Sequence, residues 1–222
     1  MYALYGLLAV ATFAKTLFAA PTENFQSHLG IILQGPAISI PTQIHETAEV
    51  PFLPHADINS PFGSWLGQNI NFSYIKPVFD QLNSTAQPLI SRGEAHITVI
   101  TPPEFDNVLA KTNLTIEEIN GIAEQLEIQK QNFEILCLGR IKLLTKEGED
   151  IVYQIIVKSP GLIEIRKEVF QLYIKKGGEG ALFDPEAFWP HITVGFTQRD
   201  LFIENDHVFK GANVCWRPIS EV

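Results

Sequence analysis

The tetrapeptide His-Ile-Thr-Val occurs twice in this chain, at His96–Val99 and at His191–Val194. Each copy sits in a short run of β-branched and apolar residues, Ala95 to Thr101 and His191 to Thr197, and each run reads as a strand. Side chains alternate across a strand, so in both copies His and Thr share one face while Ile and Val share the other. A polar pair on one face and an apolar pair on the other is the pattern of a strand half-buried in an antiparallel sheet. The repetition suggests two halves of one domain that contribute the same pair of side chains.

The rest of the chain supplies helices to cover such a sheet. A helix is expected over Tyr74–Leu82, with helical character continuing towards Ile90, and a short one over Glu104–Ala110 after Pro102-Pro103 stops the first strand. Thr115 followed by Glu118 is a capping box, and Ile116, Ile119, Ile122, Ala123 and Leu126 then recur at helical spacing. Phe133–Leu138, Ile141–Leu144 and Ile151–Val157 read as strands of an antiparallel meander, with a turn around Gly148. Pro160 opens an amphipathic helix that Gly177-Gly178 closes, and the tail from His207 to Pro218 has room for a last strand. The fold class is α+β.

Residues 21–70 carry six prolines and no sustained period, and read as an irregular segment packed on the domain formed by 71–222, with a short strand around Ile31–Leu33. Before them, residues 2–14 are almost wholly apolar and the run ends in small residues at Ala19 and Ala20. Residues 1–20 therefore read as a secretory signal, the alternative being a buried or membrane-anchoring helix. Asn71-Phe72-Ser73, Asn83-Ser84-Thr85 and Asn113-Leu114-Thr115 are N-glycosylation sequons at Asn71, Asn83 and Asn113. Together these features favour a secreted protein with no membrane span once the signal is removed. Cys137 and Cys215 read equally well as one disulfide or as two buried thiols.

Composition excludes two classes of protein. With 45% hydrophobic and 18% charged residues the chain is globular, not disordered. Its net charge of −9 opposes tight binding of long nucleic acid, which needs cations to neutralise many phosphates, yet leaves room for a local basic pocket and a small phosphate compound.

Two imidazoles brought together in one cleft can divide acid–base work near neutral pH. The neutral one takes a proton from water and the protonated one gives a proton to a departing oxygen. Two Thr hydroxyls donate hydrogen bonds to the non-bridging oxygens of a phosphate. Zinc chemistry is less well served, because His-x-Thr offers one nitrogen per strand and only Glu94 lies on the same face nearby. His28, His45, His55 and His207 lie outside the motifs and read as surface or internally satisfied histidines.

The paired motifs resemble those of the two-histidine phosphoesterases. The flanks, His96 through Pro102-Pro103-Glu104-Phe105 and His191 through Gly195-Phe196-Thr197 to Asp200, look most like the Swiss Army Knife RNA-repair-like branch. The resemblance covers roughly residues 70–220. It implies two antiparallel-sheet lobes related by a pseudo-two-fold axis around a central cleft, with His96 and His191 as the catalytic pair and Thr98 and Thr193 on the phosphate. The implied reaction is opening of a nucleotide or RNA-end 2′,3′-cyclic phosphate or a related ribose phosphodiester, by a monomer without metal or cofactor. Trp189, like Phe188, is a candidate to stack on a base, and Arg199, Lys175, Lys176 and Arg92 are candidates to hold phosphate. The alternatives are a secreted module that binds a phosphate ligand or a protein without turnover, and an RNA-ligase-like activity, which would need a larger basic groove.

Overall fold

The structure is a computed structural model and describes residues 33–57, 59–60, 63–146 and 148–222. The proposed signal segment and most of the Ile31–Leu33 expectation lie outside these residues. Nine strands are present among the described residues: β1 (Ile38–Ile40), β2 (His55–Ala56), β3 (Ser64–Ile70), β4 (Ala95–Ile100), β5 (Glu134–Thr145), β6 (Gly148–Lys158), β7 (His191–Phe196), β8 (Cys215–Arg217) and β9 (Ile219–Glu221). The helices are α1 (Phe72–Leu82), α2 (Pro102–Asn107), α3 (Ile116–Gln125), α4 (Pro160–Lys175) and α5 (Ile203–Asp206). Seven strands form one antiparallel sheet in the order β2-β3-β4-β7-β6-β5-β8, and β1 pairs in parallel with β9 in a separate ribbon. The fold is α+β, as the sequence pattern predicts.

The two motif strands lie next to each other at the centre of the sheet. β4 and β7 run antiparallel with Ile97 opposite Ile192, the same position of each tetrapeptide. Ile97, Val99, Ile192 and Val194 are all buried in one continuous core. That burial sets the register, because a slip of one residue would expose four branched side chains and bury two histidines. Helix α1 packs on β7, α3 on β3 and α4 on β4.

The two capping sites show how local chemistry starts these helices. At α3, Thr115 and Glu118 exchange side-chain bonds with each other's backbone N–H as predicted, at 3.3 and 2.9 Å. The same box occurs at α2, between Thr101 and Glu104. Pro102 and Pro103 thus begin that helix instead of merely stopping β4, since a missing N–H costs nothing in a first helical turn. After α1 the chain does not continue as helix towards Ile90. The Asn83 side chain accepts from the Leu89 N–H, and Ile90 bridges to Phe196 instead.

Two boundaries differ from the sequence reading. The domain begins before residue 71, because Ser64–Ile70 is an interior strand of the main sheet. Its sequence, Ser-Trp-Leu-Gly-Gln-Asn-Ile, hides it: Gln68 and Asn69 are buried, but by hydrogen bonding and not by apolarity. Gln68 donates to the carbonyls of Ile128 and Gln131, and the Gln129 side chain spans the Asn69 backbone and the Thr47 carbonyl. These bonds satisfy groups that would otherwise be costly to bury. The strands expected at 133–138 and 141–144 are one, β5, running through Gly139. A Cβ there would come within 3.0 Å of the Ile156 side chain, so the glycine serves close packing and not a break.

Cys137 on β5 and Cys215 on β8 form a disulfide across 78 residues of chain, which ties the C-terminal segment to the sheet. Among the described residues, no helix is long and apolar enough to cross a membrane.

Candidate functional site

Strand alternation puts His96, Thr98, His191 and Thr193 on one face of the central pair, where they line a single cavity of about 390 Å³. The neighbouring strands extend that face, with Asn69 opposite His96, Gly67 opposite Thr98 and Gln154 opposite Thr193. Gly67 has a definite task here. A Cβ at that position would lie 2.6 Å from the Trp65 ring, so only glycine lets the indole fold down beside the cleft. Trp65 then packs tilted against His96, with ring centroids 4.4 Å apart, and stacks on His55 at 3.6 Å. His96 is thereby confined on its apolar side, while its Nδ1 lies 3.9 Å from a Glu94 carboxylate oxygen.

His191 is held differently. Its Nδ1 lies 2.8 Å from the backbone carbonyl of Trp189. A carbonyl can only accept, so Nδ1 carries hydrogen and Nε2 is the nitrogen left for chemistry.

Behind the threonines sits a charged cluster. Asp200, in the loop after β7, is buried and accepts from Arg92 Nη2 at 2.8 Å, Lys210 Nζ at 2.9 Å and the Leu201 N–H at 2.8 Å. The Thr193 hydroxyl lies 3.4 Å from the same carboxylate. Arg92, Asp200 and Lys210 all line the cavity. At the mouth, Phe188, Trp189 and Phe202 form an aromatic rim, Trp189 and Phe202 each 36% exposed. Trp189 meets Phe209 edge-on at 5.1 Å and lies against Gly211, where a Cβ would come within 2.7 Å of the indole.

The family model for the Swiss Army Knife 2H phosphoesterase domain matches residues 64–202, more than half of the chain. The chain belongs to this family. It is a phosphoesterase of the 2H type, and phosphodiester hydrolysis is its general reaction class. None of the curated proteins and none of the solved structures compared with it matches significantly. The match begins at the first residue of β3, in agreement with the domain boundary that the sheet defines.

Within this 2H domain, four of the residues singled out from sequence as catalytic or phosphate-binding come together, and Trp189 stands at the rim. Arg199 does not join them. Its guanidinium grips Asp206 with two bonds, at 3.0 and 2.7 Å, reaches Asp150 at 3.3 Å, and lies outside the cavity lining. The cations that line the cavity beside Thr193 are instead Arg92 and Lys210, both bonded to Asp200. Lys210 carries no motif in sequence; Arg92 is marked only by its nearness to the first motif. His45 pairs with Glu221 away from the cleft. Among the described residues, no three His, Cys, Asp or Glu side chains are grouped to hold a metal ion.

The cleft disfavours positive histidines. Burial pushes His96 down from 6.5 to about 4, and the charge of Arg92 adds to the effect. Burial also lowers His191, as does Lys210, against the opposing pull of the Trp189 carbonyl and Asp200. For Asp200, burial pushes the carboxyl up, but Lys210 and Arg92 outweigh it and hold the group below its usual range. Both imidazoles are therefore neutral at pH 7 in the free protein.

This has a consequence for stability. Between pH 6.5 and about 4 the unfolded chain binds protons at these two positions and the folded chain does not. Linkage then makes stability fall as pH drops through that window, the contribution being fully present above pH 6.5. Melting temperature measured from pH 7.5 to 4.5 should fall more steeply in the wild type than in His96→Gln/His191→Gln, which lacks both groups. Parallel curves would show that the histidines are not held neutral.

Proposed function

We propose that this domain is a metal-independent phosphodiesterase that opens a nucleotide or RNA-end 2′,3′-cyclic phosphate or a related ribose phosphodiester. The observation that carries the reading is the convergence of both His-x-Thr pairs in one cleft whose lining also includes Arg92 and Lys210. A phosphodiester entering it brings negative charge beside two imidazoles kept neutral by burial and by Arg92 and Lys210. That charge raises their proton affinity, so one becomes protonated as the substrate binds. The neutral imidazole takes a proton from water as the water oxygen bonds to phosphorus. The bond from phosphorus to the ribose oxygen breaks, and the imidazolium gives its proton to that oxygen. Thr98 and Thr193 donate to the non-bridging oxygens, where negative charge accumulates.

The aromatic rim suits a nucleobase. Stacking on such a surface is worth roughly 1–3 kcal/mol per base. The test is hydrolysis of the four nucleoside 2′,3′-cyclic monophosphates with and without EDTA. The expected result is EDTA-insensitive formation of a monophosphate, with Trp189→Ala raising KM by about 10-fold. No product from any of the four by folded protein would reject this substrate class.

We further propose that the protein travels the secretory pathway. Supporting this are the apolar N-terminal run, exposed Asn71, Asn83 and Asn113, and a disulfide of a kind that persists in oxidising compartments. Protein secreted by eukaryotic cells should lose mass on treatment with an N-glycosidase; an unchanged mass would count against it.

A further inference from the structure

The cluster behind the threonines joins three separate segments: Arg92 from the loop before β4, Asp200 from the loop between β7 and α5, and Lys210 from the chain between α5 and β8. The Lys210 and Asp200 side chains are only 8% and 6% exposed, whereas that of Arg92 is 35% exposed and faces the cleft. Two cations this close repel each other, and a buried ammonium without a counter-charge tends to lose its proton. A single carboxylate between them removes both problems and leaves one net positive charge. That charge is set directly behind the hydroxyl of Thr193, in a cavity whose lining also carries Glu94 and the ion pair of Arg166 with Glu104.

We propose that Arg92 and Lys210, held in place by Asp200, form a preassembled clamp for the phosphoryl group, with Asp200 as its positioning residue. The proposal rests on the reading that the cleft takes a phosphodiester, and it names residues outside the two motifs as the source of phosphate affinity. A guanidinium has five N–H donors, so Arg92 retains hydrogens for a phosphate oxygen after its bond to Asp200. The Thr193 hydroxyl, which at 3.4 Å makes only a long contact with Asp200, turns to the phosphate when one binds. Asp200 tolerates the loss because Arg92, Lys210 and the Leu201 N–H still satisfy it. The side chain between the two cations is therefore a carboxylate that never contacts the substrate.

Asp200→Asn separates this proposal from simple charge counting. Removing a negative charge beside the cleft should by itself tighten anion binding. If Asp200 instead holds both cations in place, the same change weakens it. The probe is inorganic phosphate, titrated by tryptophan fluorescence, since Trp65 and Trp189 both line the cavity. Arg92→Met and Lys210→Met should each weaken phosphate binding by about 10-fold or more, the size expected for one lost charge-assisted hydrogen bond. Asp200→Asn should weaken it by about 5-fold or more, Asp200→Glu should recover part of the loss, and melting curves would establish that each variant is folded. Equal or tighter binding by folded Asp200→Asn overturns the positioning role. Unchanged binding in Arg92→Met and Lys210→Met overturns the clamp, as does a wild type that binds no phosphate. Phosphate binding that depends on the clamp, with no cyclic phosphate hydrolysed, leaves the clamp standing and rejects the proposed reaction. Hydrolysis indifferent to Arg92 and Lys210 does the reverse.

Discussion

His96→Ala and His191→Ala are each expected to reduce hydrolysis of the preferred cyclic phosphate by about 10³-fold or more while the protein remains folded. Each side chain faces the cleft, whereas the neighbouring Ile97 and Ile192 carry the packing of the two strands. In the proposed mechanism, loss of either imidazole removes one of two proton transfers that belong to a single displacement. The double variant should therefore be scarcely worse than either single one, because residues acting as a unit do not contribute additively. Thr98→Ala and Thr193→Ala each remove one donor to the transition state and should cost less, about 10²- to 10³-fold. The measurement is product formation under single-turnover conditions, with melting curves for every variant. Retention of more than a tenth of wild-type activity by a folded His96→Ala or His191→Ala would reject the two-histidine mechanism.

Arg166→Met should cause the largest loss of stability of any single substitution considered, about 3–5 kcal/mol. Arg166 lies on α4 and is 1% exposed. It makes a two-bond ion pair with Glu104 at 2.9 and 3.2 Å, donates to the Val99 carbonyl at 2.7 Å, and donates to the carbonyls of Asp184 and Pro185. Methionine fills most of the space but leaves a carboxylate without its ion-pair partner and four carbonyls, that of Ala187 included, short of a donor. Glu104 also caps α2, so its displacement would disturb the helix that follows β4. Two segments that carry the site depend on this one guanidinium: the end of β4, and the loop leading through Trp189 to His191. For a domain of this size the melting temperature should fall by roughly 6–20 °C. Glu104→Gln combined with Arg166→Met should recover part of the loss, because the stranded charge is gone. A fall of less than 2 °C in Arg166→Met would mean that water replaces the guanidinium without cost.

Much of the central sheet was legible in the chain because alternation is a local property. His, Ile, Thr and Val in that order allow one half-buried strand, and a second copy allows its partner. The capping box at Thr115, Pro160 at the start of α4 and Gly177 at its end are likewise statements about neighbouring residues, and those elements stand where the spacing puts them. β3 was not legible, since the signal for a buried strand is apolar side chains and this one buries Gln68 and Asn69. Their partners, Ile128, Gln129 and Gln131, lie about 60 residues away.

The site divides along the same line. His96, Thr98, His191 and Thr193 could be named from sequence because each pair is written in consecutive positions of a strand. Arg92, Lys210 and Asp200 could not be grouped in advance. Arg92 and Asp200 are 108 positions apart, and neither they nor Lys210 follow a period. Arg199 held the more conspicuous place beside the second motif, but Asp150 and Asp206 claim it. Sequence alone determined that two identical polar pairs would stand on strand faces, because backbone geometry makes side chains alternate wherever a strand forms. Only the tertiary structure decided which charges stand behind them, because Coulomb attraction and desolvation depend on distances in space and not on distances along the chain.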